Sequence, residues 1–253
     1  MRRIYQIRIL SLWIFVLPVF VLNLCLFISI NYHLFENTIF TVNQMGRSGF
    51  TIPYIDGGVS ISRTARTYPA YLLFKPGMII TAILLIKYWV ATNVLVKEIS
   101  SDTGKKNHFL IFGILSAIFL ILHSVFLGVN FEYDLYKFFR RFVLLGFIIF
   151  EVVAQTLLVI SLFKIKDVIS QMINKKILFL KLLLVSSLII TALASSPILG
   201  TSGYTHFKHA LEWNYFIGVV FFYLLTFFFW RKNISLFYNS FFDRIHFFFK
   251  KFA

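Results

Sequence analysis

Apolar residues in this chain run in six long stretches instead of alternating with polar ones, at roughly residues 9–30, 70–96, 109–129, 142–163, 177–199 and 210–230. A hydrocarbon core about 30 Å thick takes about 20 apolar residues at about 1.5 Å of rise each, and all six stretches reach that length. The pattern predicts an all-α, polytopic integral membrane protein built as a six-transmembrane-helix bundle. Two connections, 97–108 and 164–176, are short and polar, as expected of turns between antiparallel helices. The longest connection, 31–69, is too short and too polar to build a core of its own. One transmembrane domain is therefore expected over residues 1–232, followed by a basic tail, 233–253. In the tail, Leu236, Phe237, Phe241, Ile245, Phe248 and Phe252 recur at helical spacing while Asp243, Arg244, Lys250 and Lys251 leave a polar face. That spacing predicts a C-terminal amphipathic helix lying in the membrane interface.

Composition agrees with the pattern. Hydrophobic residues make up 59% of the chain, and Phe alone contributes 33 residues, a balance that a soluble core and surface do not share. Arg2, Arg3 and Arg8 precede the first stretch as in a signal peptide. That stretch is longer than a signal peptide's apolar region and no small-residue cleavage site follows it, so it is expected to stay as a helix. The single cysteine, Cys25, lies inside it and excludes an intramolecular disulfide.

The formal net charge of +15 raises nucleic acid as a partner, but the distribution of the charge excludes it. Of the 25 Lys and Arg residues, fifteen lie in the N-terminal segment, the two short connections and the residues after the last apolar stretch, 231–253. Only seven lie in the opposite loops: Arg47, Arg63, Arg66, Lys137, Arg140, Arg141 and Lys208. Lys75, Lys87 and Lys181 sit inside or at the edge of apolar stretches, and Lys75 and Lys87 are expected to snorkel to the nearer surface. Six crossings put both termini on one face, and the positive-inside bias makes that face cytoplasmic. The excess charge then serves topology and attraction to anionic headgroups.

An ionisable side chain at mid-membrane costs at least about 2.5 kcal/mol on insertion scales, so such residues mark bundle interiors and often function. In the third stretch Ser116, His123 and Asn130 are spaced by seven and share a stripe; in the fourth, Glu151 and Gln155 are four apart and share a face. The sixth carries His209, Glu212, Tyr215, Tyr223 and Thr226 on a broader stripe. Of these, His123, Asn130, Glu151, Gln155, His209, Glu212, Tyr215 and Tyr223 form a candidate polar cavity facing the outside. For Glu151 with Gln155, mutual satisfaction that fixes helix register is the alternative reading. In the long loop, Asp56, Arg63, Arg66 and Tyr68 form a candidate headgroup-binding set: arginines three apart grip a phosphate by paired donors, or else rest against Asp56. His206 and His209 are also three apart, but no second pair completes a tetrahedral set, so neither a metal nor a cofactor is expected. No Ser-centred elbow, HExxH or P-loop occurs, and residue chemistry alone names no enzyme class.

Short motifs in order along the chain carry a resemblance. Tyr54 and Asp56 after Pro53, then Tyr68-Pro69 leading to Phe74 and Gly77, resemble the long first loop and second helix of the FRAG/DRAM/SFK superfamily. Gly128-Val129-Asn130-Phe131-Glu132, with Gln155-Thr156 further on, is similar to that family's Asn-Phe-Gln turn and helix-four Gln. Ala210-Leu211-Glu212-Trp213, with Tyr223 and Thr226-Phe227, resembles its last helix. Asp56 stands where the family usually has Ser, and Phe138 to Arg141 where it often has His, so a His-dependent step would fall to another residue such as His123. The resemblance implies six helices with both termini cytoplasmic, as in damage-regulated autophagy modulators, GPI-anchor remodelling factors and a CWH-like N-terminal domain.

Together these readings lead to a protein that engages membrane lipid headgroups through its outer face and acts in lipid or lipid-anchor remodelling or its regulation. A non-enzymatic scaffold that recruits protein partners through its basic cytoplasmic face is the first alternative. A small transporter is the second, although Pro18, Pro76 and Pro197 do not form the paired helix breaks that transport folds favour. Exterior loops without a cysteine or a glycosylation sequon point to a bacterial inner membrane, with a eukaryotic endomembrane as the alternative.

Overall fold

The computed structural model describes residues 2–41, 48–100, 107–128, 134–201 and 203–231. Asn130 and the tail, with its expected interfacial helix, lie outside the described residues. Among the described residues the chain is all-helical: α1 (Arg2–Ile30), the one-turn 3-10 helix Tyr32–Phe35, α2 (Ile61–Ala65), α3 (Ala70–Ser100), α4 (His108–Phe126), α5 (Asp134–Lys164), α6 (Lys175–Gly200) and α7 (Thr205–Phe229). Six of these, all but α2 and the 3-10 turn, are long and apolar enough to cross a membrane. They coincide with the six apolar stretches. The helices overrun several of those stretches, by eight residues at the start of α5 and five at the start of α7. The cause is that backbone hydrogen bonding continues through the polar turns at a membrane surface, where hydropathy no longer marks the helix.

Neighbours in sequence are neighbours in space. α1 packs on α3, α3 on α4, α4 on α5, α5 on α6 and α6 on α7, and α7 closes the ring on α1. One end of this ring gathers the start of α1, the end of α3, the α5–α6 link and the end of α7. Arg3 there bonds Glu98, Arg8 donates to the carbonyl of Phe227, and Ile173 pairs with Trp230 in a single antiparallel bridge. The opposite end carries the long α1–α3 loop and the α4–α5 and α6–α7 links.

The core runs along the ring axis through Trp89, Tyr88, Tyr223, Phe222, Phe109 and Phe229, all nearly sealed from solvent. Gly113 makes room for this column, because a Cβ there would lie 2.4 Å from the Trp89 ring. The indole can thus lie flat against α4 and aim its edge at α5.

α2 was not expected. Ser60 caps it, accepting from the backbone N–H of Arg63 at 3.2 Å, so five residues of a connection read as turns form one helical turn and a half.

Candidate functional site

Of the eight residues read as one polar cavity, Asn130 lies outside the described residues, His123 and Tyr215 stand apart, and the other five divide into a deeper group, Glu151, Gln155 and Tyr223, and a shallower one, His209 and Glu212. Glu212 and Tyr223 are eleven positions apart on α7, about 16 Å along the helix axis at about 1.5 Å per residue.

The deeper group centres on Glu151, 1% exposed, and Gln155, fully buried. Being four apart on α5, they share a face, and Gln155 Nε2 donates to Glu151 Oε1 at 3.0 Å. Ser116 Oγ of α4 donates to Oε2 at 2.5 Å, and the Tyr223 hydroxyl of α7 donates to Oε1. Gln155 Nε2 also reaches the Val219 carbonyl at 3.1 Å. The indole N–H of Trp89 on α3 faces the same carboxylate but stops short of a hydrogen bond. Four helices therefore converge on one carboxylate. Ser116 joins the group by donating to Glu151, one helical stripe having predicted its face.

Lys181 is the residue that sequence reasoning missed. Its side chain is fully buried between α6 and α7. Nζ donates to Thr226 Oγ1 at 2.7 Å and lies 3.9 Å over the centre of the Phe222 ring and 5.3 Å over that of Phe229. Among the described residues no carboxylate pairs with it. The Tyr88 hydroxyl also meets Thr226 Oγ1, at 3.4 Å, and the Tyr88 and Tyr223 rings touch edge to face with centroids 4.9 Å apart. Lys181 and Glu151 thus flank one aromatic column. Its two lysine companions differ: Lys87 is exposed on α3, and Lys75 Nζ donates to the Val125 carbonyl at 3.3 Å, near the C-terminal end of α4. That terminus carries the negative end of the helix dipole.

The shallower group straps the long loop to α7. Glu212 sets its carboxylate facing the backbone N–H groups of Ile61 and Ser62 at the start of α2. Trp213 Nε1 donates to the Val59 carbonyl at 2.9 Å, and Asn214 Nδ2 donates to that of Tyr54 at 2.7 Å. The Nδ1 atoms of His206 and His209 approach the Asp56 and Gly57 carbonyls at 3.2 and 3.0 Å. Gly57 has φ +60°, and a Cβ there would fall 1.7 Å from the His206 carbonyl oxygen, so only glycine fits. The histidines are occupied in docking the loop. Tyr215 joins neither polar group and packs against Val152, Leu188 and Val219.

In the loop, Asp56 satisfies itself. Oδ1 accepts from Thr51 Oγ1 at 2.6 Å and Gly58 N–H at 2.8 Å, and Oδ2 accepts from Ile52 N–H at 2.8 Å. The Thr51 hydroxyl first, then these two amides, hold its carboxyl below the ordinary carboxylate range. Arg63 and Arg66 therefore do not rest on it. Tyr68 turns away from both, donating to the Ile39 carbonyl at 3.1 Å and stacking near Phe40.

Arg66 instead lies near Arg140 of α5. Burial first, then the Arg140 and Arg63 guanidinium charges, pull the Arg66 pKa below its ordinary value. The Arg66 backbone packs on Gly128, whose φ of +82° turns the chain after α4; a Cβ there would lie 3.0 Å from the Arg66 carbonyl oxygen. Arg140 stands 5.5 Å over the Tyr136 ring, with its Nε buried and unbonded among the described residues. His123, half-buried, sets its ring edge-on to Phe74 and lies within the field of Arg140. His123 thus belongs with the arginines and not with Glu151 or Glu212. A loop of one region and a helix of another thus bring the Arg66 and Arg140 charges within range of each other, and like charges repel.

The chain matches no family model, no curated protein and no solved structure.

Proposed function

We propose that this multi-pass membrane protein, with both termini cytoplasmic, binds phosphate-bearing lipid headgroups at its outer end and acts in lipid or lipid-anchor remodelling or its regulation. The observation that supports the reading is that Arg66 lies within electrostatic range of Arg140 and Arg63, and His123 within range of Arg140, at the loop end of the bundle. Planar guanidiniums hold a phosphate by paired, charge-assisted hydrogen bonds, and the unbonded Arg140 Nε is a donor ready for that use. Loop docking by Glu212, Trp213 and Asn214 holds Arg66 in place, since α2 ends at the residue before it. The motif resemblance to the FRAG/DRAM/SFK superfamily points to the same lipid setting.

Native mass spectrometry of the detergent-released protein tests the reading. Loss of charge-assisted bonds worth about 1.5–3 kcal/mol each should weaken phospholipid retention at least about tenfold in R66Q/R140Q. Equal retention by wild type and variant would remove the proposal. Orientation is checked separately, on the fifteen-to-seven charge split. A cysteine placed at Asn174 should resist an impermeant thiol reagent in intact cells, while one at Ser48 reacts.

A further inference from the structure

The headgroup reading leaves the two most costly side chains of the bundle unused. Glu151 and Lys181 are both sealed inside it, and each is surrounded by groups suited to an ion. Ser116, Gln155 and Tyr223 all donate to the carboxylate; Lys181 Nζ has a hydroxyl oxygen and two aromatic faces. A buried pair held only for register is expected to meet directly, with every polar atom around it bonded. Here the two ends are held apart by Tyr223, Tyr88 and Thr226. Around them three buried polar atoms have no hydrogen bond: Gln155 Oε1, Trp89 Nε1 and Thr92 Oγ1.

Two of these idle atoms, Gln155 Oε1 and Thr92 Oγ1, have a common explanation. A Glu151 that carried a proton would need an acceptor, and Gln155 Oε1 is an unused one on the next turn of the same helix. Thr92, four residues after Tyr88, offers that phenol a second partner. The site thus holds the parts of two hydrogen-bond arrangements and uses one.

We propose that Glu151 and Lys181 titrate as a coupled pair inside the bundle, each setting the charge state of the other across Tyr223, Tyr88 and Thr226. The Tyr88 and Tyr223 rings meet edge to face, so the coupling is electrostatic and no hydrogen-bonded chain relays a proton between the two ends. In the charged form the pair is ammonium and carboxylate; in the neutral form an N–H bond of Lys181 has broken and an O–H bond of Glu151 has formed, each group exchanging its proton with bulk water. Loss of both charges changes the bonds that tie α5 and α6 to α7. The groups facing the pair are Tyr88 and Trp89 from α3, Ser116 from α4, Gln155 from α5, and Tyr223, Thr226, Phe222 and Phe229 from α7. On α1, Arg8 is held at the Phe227 carbonyl, 3.2 Å away. Among these, only Glu151 and Lys181 change charge within the ordinary range of carboxylates and amines without a phenol ionising.

Infrared spectroscopy of the full chain in lipid nanodiscs, scanned from about pH 4 to about pH 10 to bracket ordinary carboxyl and lysine values, tests the pair. Wild type should show a buried carboxylic acid carbonyl band that changes with pH and is lost in E151Q. Its midpoint should move by about one pH unit or more in K181M, because interacting sites titrate together. A band that never changes over the range, or one with the same midpoint in K181M, overturns the proposal. Should E151Q or K181M fail to elute as a single folded species, T226V and Y88F keep every charge and carry the test. A midpoint that neither variant moves then overturns the coupling.

Discussion

Glu151 and Glu212 are both carboxylates within membrane-spanning helices, and their partners set them apart. Glu212 faces two backbone N–H groups at the start of α2. Glu151 takes side-chain donors from α4, α5 and α7. Backbone amides in a helix end cannot turn away, so Glu212 faces a fixed site. Hydroxyls and amides on rotatable side chains can, so Glu151 occupies a site able to rearrange. Position along the membrane normal reinforces the difference, since one lies at the loop end and the other in the middle of the bundle. A buried carboxylate is therefore informative about function mainly through what bonds it.

The largest effect is expected from removing Glu151. Glu151→Ala leaves Ser116, Gln155 and Tyr223 with unused donors and removes the opposite charge across the column from Lys181, and should lower unfolding stability by about 3 kcal/mol or more in a detergent thermal melt. Glu212→Ala should leave that melt nearly unchanged while protease cuts residues 51–66 faster. Equal losses in both variants would erase the distinction.

Gly57→Ala sharpens it from the loop side. The added Cβ falls on the His206 carbonyl, so the loop must lift from α7. Limited proteolysis should show the loop released, and circular dichroism should show the helices intact. Trp213→Phe is milder. It removes the hydrogen bond to Val59 and keeps most of the ring, costing about 1 kcal/mol of loop docking.

Smallest is the effect of pH on Asp56, whose carboxyl is exposed. Because its folded value is depressed, Asp56 supports the loop fully above the ordinary carboxylate value of about 3.9 and loses that contribution as pH falls through the lower folded value. Wild-type loop protection should fall in that acid range. Asp56→Asn should show weaker protection at neutral pH and no such fall.

The six helices long and apolar enough to cross a membrane were legible because hydrocarbon thickness sets a length that sequence displays directly. Glu151 with Gln155 was legible for a local reason: spacing of four fixes a shared face, and their hydrogen bond follows. Depth and partners were not. The stripe on α7 joined Glu212 to Tyr223, although eleven residues of rise keep them apart. α2 was hidden because its start is set against Glu212, about 150 residues away along the chain. Lys181 was ambiguous, because its long stem allows either snorkelling or burial, and only the placement of Thr226, Phe222 and Phe229 decides it. Arg140 likewise gains its meaning from Arg66, a residue of a different loop.

Headgroup binding between Arg66 and Arg140 is the claim on which the functional account stands. Cryo-electron microscopy of the protein in phospholipid nanodiscs tests it most directly. The account predicts density for a headgroup phosphate within hydrogen-bonding reach, about 3 Å, of both guanidinium groups. Density for a protein carboxylate closing the two arginines, with lipid phosphates ordered only elsewhere, would contradict it.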